Sequence, residues 1–355
     1  MRFLDFVTLQ RDFDLPKTEM RDGPYPVLGS TSVIGFHSEF KVEPPGVVTG
    51  RSGSLGVVQY VAERYWPHNT SLWVKDFKGN DPKFVYYCMK GLDFARFNAG
   101  AGVPKLNRNH LDSLQVEVPP LPIQRRIASI LSAYDELIEN SQRRIKILEA
   151  MARALYREWF VHFRFSGFES VPRVPSPLGE IPQGWEVKKL GDVVELNYGK
   201  ALKKEDRRDG EYPVFGSSGI VGTHDAALVK GPGIIVGRKG NVGSVFWCDD
   251  DFFVIDTAYF VTSPLPLRFL FYVLPTLNFI NSDAAVPGLS RNQAYTLELL
   301  VPPTSLLEKF CELAGTFEQQ AATLQRQTQN LRRTRDLLLP RLLSGQIDVE
   351  ALDHA

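Results

Sequence analysis

One stretch of this chain is written twice. "GPYPVLGSTSVIG" at residues 23–35 returns as "GEYPVFGSSGIVG" at 210–222, with seven of the thirteen paired positions identical. The paired residue numbers differ by 187, and the same difference joins Gly50 to Gly237, Arg51 to Arg238, Gly53 to Gly240, Gly56 to Gly243 and Thr70 to Thr257. Further on, "VPKLNRNHLDSLQVEVPP" (103–120) matches "VPGLSRNQAYTLELLVPP" (286–303) with a difference of 183, so the segment between is four residues shorter in the second copy. Repeats of about 20 to 50 residues build solenoids and propellers. Copies this long require two related globular halves.

Each copy changes character at its Val-Pro-Pro. Before it lie short Val/Ile/Phe/Tyr runs broken by Gly, Pro and Ser, such as "GPGIIVGRKGNVGSVFW", which predict strands and tight turns, with some helix around "PKFVYYCMKGL" and "LRFLFYVLPTL". Each module is therefore α+β. After it, Ile127, Leu131, Tyr134, Ile138, Ser141, Ile145, Leu148, Ala152 and Leu155 step by four and three, a heptad seam on a long helix starting near Pro122. Phe310, Ala314, Phe317, Ala321, Leu324, Thr328, Leu331 and Leu338 repeat the spacing more weakly, with Arg335 interrupting it. Two equivalent seams in one chain predict that each helix packs on the other. An approximate twofold relation would lay them antiparallel as a coiled coil with a module at each end, a pseudo-twofold dumbbell. The expected organisation is a first module (1–120), a first long helix (121–165), a linker (166–183), a second module (184–303), a second long helix (304–345) and a tail (346–355). The linker "SVPRVPSPLGEIPQG" reads as extended and stiffened by proline. Trp159, Phe160, Phe163 and Phe165 at the end of the first helix read as an anchor onto a module, ahead of a docking patch for a partner.

Two such modules, each closed by "VPP" and followed by a long helix, resemble the specificity subunit of type I restriction-modification systems. The likeness spans essentially the full chain and rests on "YPVFGSSGIVG", "IIVGRKGNVGSVFW", "FFVIDTAYFV" and "LLLPRLLSGQI". The first copy departs from the pattern: it lacks the "IPQGWEVKKLGDVV" of 181–194, although Asp5 still matches Asp192, which predicts a missing or shortened first strand. The resemblance implies two target-recognition domains, each reading one half of a bipartite, asymmetric double-stranded DNA target. It also implies helices that fix their spacing and dock two methylation and two restriction/translocase subunits. S-adenosylmethionine, ATP and Mg would be cofactors of those partners, with none held by this chain.

Catalytic motifs are missing from the sequence. Its Pro-Pro pairs sit in "EPPG", "VPPL" and "VPPT", none in the Asn/Asp-Pro-Pro-aromatic context of an adenine methyltransferase. "GRSGSLG" and "GRKGNVG" carry neither the Lys-Ser/Thr of a P-loop nor the dinucleotide fingerprint. The acids of "CDDDFF" would alternate faces in a strand, which argues against a nuclease centre. Cys88, Cys248 and Cys311 are far apart and read as buried free thiols, with no metal site. No run approaches the roughly 18 apolar residues of a membrane span, and the first residues lack a signal peptide's apolar block, so the chain is expected to be cytoplasmic with no membrane partner.

With 41 basic and 41 acidic residues, DNA contact must come from local clusters. Asn197–Gly240, with eight basic against five acidic residues, is one. Candidates for DNA contact are the hydroxyl loops Ser30, Thr31, Ser32 and Ser217, Ser218, with His37 and His224 after them. The Gly-rich turns add Arg51, Arg238, Lys239 and Asn241, and the segments before the last strand add Lys105, Asn107, Arg108, Asn109, Arg291 and Asn292. Arg and Lys suit phosphate or guanine, and Asn suits adenine. The same residues serve equally as turn formers and caps. Two other functions remain open: a coiled-coil scaffold without a DNA role, and an orphan specificity-like protein that regulates.

Overall fold

The computed structural model describes residues 1–11, 13–100, 102–279 and 288–349; Val286 and Pro287 of the second repeat motif, and 350–355 of the expected tail, lie outside them. The chain divides into two compact units, Met1–Gln142 with Gln325–Ala355, and Arg143–Leu324. This differs from the division read off the sequence, in which helices and modules are separate. The boundary falls inside both long helices because the start of one helix and the end of the other share a core with each module.

In the first unit an antiparallel sheet has the order Thr8–Arg11, Ser71–Asp76, Gly46–Gly50, Val58–Val61, and a smaller sheet joins Val33–His37, Tyr25–Leu28 and Trp66–Pro67. The second unit repeats both: Glu195–Tyr198, Ala258–Thr262, Gly233–Gly237, Val245–Cys248, and Gly219–His224, Tyr212–Gly216, Phe253–Val254. The central strands Gly46–Gly50 and Gly233–Gly237 are buried at every position. Covered on both faces, they read as unbroken apolar runs rather than as an alternation. Both predicted module helices form, Pro82–Lys90 and Leu267–Val273. The first has proline at its first turn, and the Asp81 carboxylate accepts from the Phe84 N–H at 2.9 Å, satisfying one of the free amides.

The two units differ at their first strand. Glu186–Lys189 pairs with Glu298–Val301 in the second unit, whereas in the first only an isolated bridge joins Arg2 to Gln115. The linker corrects the sequence reading. It is a β-hairpin, Arg173–Ser176 on Gly179–Pro182, with Pro175 and Pro182 opposite Glu180 and Arg173. Those two pairs belong to the same alternate class, while Val174↔Ile181 and Ser176↔Gly179 form the other. Proline is tolerated because only one class must donate across the ladder.

The long helices run Leu121–Tyr156 and Thr304–Leu343. The first closes in a π turn, Arg157–Val161, short of the expected residue 165. Every seam position from Ile127 to Leu155 and from Phe310 to Leu338 is buried or half-buried. In the first unit Ile127, Ala128 and Leu131 share one core with Leu338 and Leu342. In the second, Ala152 and Phe160 share one with Phe310 and Ala314. The aromatic cluster is an anchor, as expected: Phe160 lies 4.9 Å from Phe310 between ring centres, and Phe163 and Phe165 lie 5.2 and 6.0 Å from Trp185.

All three cysteines are free thiols, with Cys88 and Cys248 buried and Cys311 half-buried. Burial raises the Cys88 thiol to about 12. At alkaline pH the unfolded chain loses this proton while the folded chain keeps it, so this contribution to stability is fully present below the usual thiol range and is lost as pH rises from there through about 12. Native protein at pH 8 is expected to leave Cys88 unmodified by iodoacetamide and to react there only once unfolded, as peptide mass mapping would report.

Candidate nucleic-acid interface

Three segments far apart in sequence meet at one end of the main sheet in each unit. The Gly-rich turn leaves the central strand through glycines that no other residue could replace. A Cβ on Gly50 would lie 2.2 Å from the Ser54 carbonyl oxygen and 2.8 Å from that of Ser30. On Gly237 it would lie 2.1 Å from the Asn241 oxygen and 3.1 Å from that of Ser217. Gly53, Gly56, Gly240 and Gly243 have φ of +89°, +87°, +78° and +76°, a region that glycine enters without steric cost. The hydroxyl loop is thereby pressed against the turn, and the Ser244 hydroxyl donates to the Ser217 carbonyl at 2.5 Å.

The third segment docks on the turn's other side with the same bonds in both copies. The Leu106 N–H donates to the Arg51 carbonyl and the Leu289 N–H to the Arg238 carbonyl, each at 2.8 Å. Ser52 bridges to Lys105 and Lys239 to Gly288. The guanidinium groups also match. Arg108 donates to the Leu9 carbonyl and Arg291 to that of Leu196, both at 3.2 Å. Arg51 donates to the Asn69 carbonyl at 3.1 Å and Arg238 to the equivalent Asp256 carbonyl at 2.9 Å. Part of each guanidinium thus holds the turn, while its remaining donors stay available.

In the second unit Tyr198, Arg238, Lys239, Tyr259, Arg291 and Asn292 line a concavity of about 510 Å³. The Arg238 and Arg291 guanidinium carbons lie 4.8 and 4.4 Å from the Tyr198 ring centre, within cation–π range. Burial, with the neighbouring Tyr198 hydroxyl, raises the Tyr259 hydroxyl. Kept protonated, it donates to the Leu289 carbonyl at 3.0 Å and fixes the third segment. Sequence inspection passed over Tyr198 and Tyr259, and over Arg11, which occupies the place of Tyr198 in the first copy. The difference of 187, carried a few residues further, would have found the Arg11–Tyr198 pair.

Of the expected residues, Thr31, Ser32, Lys105, Asn107, Arg108, Asn109, Ser218, Asn241 and Asn292 are exposed, and Ser30, Arg51, Ser217, Arg238, Lys239 and Arg291 are half-buried. Asn107 is also a cap, its side chain accepting from the Asn109 N–H at 3.1 Å. His37 and His224 are corrected. They are 5% and 7% exposed, their Nδ1 atoms accept from the Arg21 and Arg208 N–H groups at 2.9 and 3.2 Å, and their rings abut Trp66 and Phe253. They pin the chain beneath the hydroxyl loop and offer a ligand almost no surface.

Among the described residues no group of three or more His, Cys, Asp or Glu could hold a metal ion, and no helix is long and apolar enough to cross a membrane. The family model for the type I restriction modification DNA specificity domain matches residues 5–150 and 182–303. The MjaIX specificity subunit of a type I restriction enzyme from Methanocaldococcus jannaschii is 26% identical over 345 residues, covering 84% of this chain and 77% of that protein. The MjaVIII specificity subunit of the same organism is 31% identical over 125 residues, 35% of this chain and 29% of that protein. The crystal structure of a type I restriction-modification system S subunit from M. genitalium has the same fold, with a TM-score of 0.67 at 19% identity over 96% of this chain and 95% of that one.

Proposed function

The chain belongs to the family of type I restriction-modification DNA specificity domains, and on that premise we propose that each unit reads one block of a bipartite, asymmetric duplex DNA target. The observation that carries this reading is the repeated site: one backbone frame, held by matched hydrogen bonds, presents different side chains in the two copies. Phosphate contacts position a protein and base contacts specify. A shared frame suits the first task and differing side chains suit the second. The long helices set the spacing of the readers and dock methylation and restriction subunits. Antiparallel pairing of the helices is supported by each unit's holding the start of one helix and the end of the other. Methyl transfer and ATP-driven cleavage belong to the partners, and this chain supplies sequence recognition without catalysis.

The test is retention of duplex DNA by the chain assembled with its methylation subunits, against those subunits alone. Arg51→Ala is expected to weaken protection of one block and Arg238→Ala that of the other, each lowering the slope of log affinity against log salt by about 1 if one phosphate contact is lost. An assembly that retains no duplex would leave the scaffold reading in its place.

A further inference from the structure

The bridge that closes each site joins a residue of the Gly-rich turn to one of the third segment, and it carries one lysine in each unit, from opposite strands. In the first unit the pair is Ser52 and Lys105, and in the second Lys239 and Gly288. Around it the frame is constant, from the 2.8 Å bonds of Leu106 and Leu289 to the 3.2 Å bonds of Arg108 and Arg291. Cβ atoms facing each other across such a pair stand about 4.5–5.5 Å apart. The root of the ammonium is therefore displaced by more than the roughly 3.4 Å between successive nucleotides of one DNA strand, while its neighbours keep their places. Among the described residues neither Lys105 nor Lys239 has a carboxylate partner, and neither ammonium is committed to one of them. The shared arginines, by contrast, are partly committed to backbone carbonyls.

We propose that this cross-strand pair is a specificity-determining element of each site, its ammonium reading a guanine edge at a base position set by the strand that carries the lysine. The inference rests on the DNA-reading function proposed above. Lysine donates well to guanine O6 and N7, which the major groove presents side by side. A lysine serving phosphate would have no reason to change strands, since the backbone is the same in both half-sites. One serving a base would, because the two blocks differ in sequence.

The experiment selects bound duplexes from a randomised library with the full chain assembled with methylation subunits, as wild type, as Ser52→Lys with Lys105→Gly, and as Lys239→Ser. The double variant moves the ammonium across the pair without changing net charge. We expect its preference to change about tenfold or more at one or two base positions of the first block, with the second block intact as proof of folding. Lys239→Ser should do the converse. Unchanged blocks, even with uniformly weaker binding, would make these lysines phosphate contacts or bystanders and overturn the proposal, as would loss of a whole block. A wild-type assembly that selects no two-block target would instead overturn the DNA-reading function itself, and this proposal with it.

Discussion

Phe310→Ala is expected to destabilise the second unit by about 3–5 kcal/mol, the range for removing a buried aromatic side chain and leaving a cavity. Phe310 is fully buried. Its ring meets Phe160 at 4.9 Å, Tyr272 at 5.6 Å, Tyr156 at 6.3 Å and Trp159 at 6.4 Å between centres. It therefore joins the end of the first long helix, the module helix Leu267–Val273 and the start of the second long helix in one core. Four large neighbours on the two other elements cannot all collapse into the space left behind. Calorimetry should resolve the loss as a fall in the unit's melting temperature on the order of 10 °C, with the first unit's transition in place. A shift of a degree or two would mean that the helix ends do not share this core.

The second large effect is expected from Asp135 and Arg335. Arg335 interrupts the apolar seam, which suggested a weak point, yet the structure ion-pairs it with Asp135 and also with Asp336 at 2.8 Å. Tyr87 of the module helix donates to the other Asp135 oxygen at 2.7 Å. The second unit repeats the theme at the matching carboxylate, with Glu318 accepting from Tyr272 and Arg268, each at 2.6 Å. Breaking a fully buried ion pair from one side costs about 3–5 kcal/mol, because the surviving charge is left stranded. With side-chain exposures of 16% and 29%, Asp135→Leu or Arg335→Leu is expected to cost about 2 kcal/mol once solvent screening is allowed for. The double variant should recover most of that loss, since leucine suits a seam position. Urea unfolding of the four proteins in a double-mutant cycle measures the coupling. Additive losses would show that the pair contributes nothing beyond its separate side chains.

Much of the fold is legible because the signals that carry it are local or repeated. Ile127 to Leu155 mark one face of a helix by spacing alone, and every one of those residues turns away from solvent. The difference between the copies at this strand could be read from the missing match to residues 181–194, and among the described residues an Arg2–Gln115 bridge lies where the second unit has a paired strand. The hydroxyl loop, the Gly-rich turn and the polar segment were separable candidates in the sequence. Their conserved register between copies hinted at one site, but nothing local said that they touch. Prolines in the linker suggested an extended tether, because a hairpin that places Pro175 and Pro182 in the non-donating class leaves no pattern distinct from a stiff coil.

The duplication, the strand runs, the helical seams and the residue types available to the sites are legible in the residues alone, since each follows from periodicity or from comparing one half with the other. Which polar groups find partners was settled by long-range packing. It buried His37 under Trp66 and His224 against Phe253, set Tyr198 beneath two guanidinium groups, placed one lysine on each closing bridge and joined Arg335 to a carboxylate 200 residues away. The difference is one of range. Helical and strand periodicities report which face is apolar within a few residues, whereas the partner of a charge or hydroxyl is fixed by which segments the packed sheets and helices bring together across the chain.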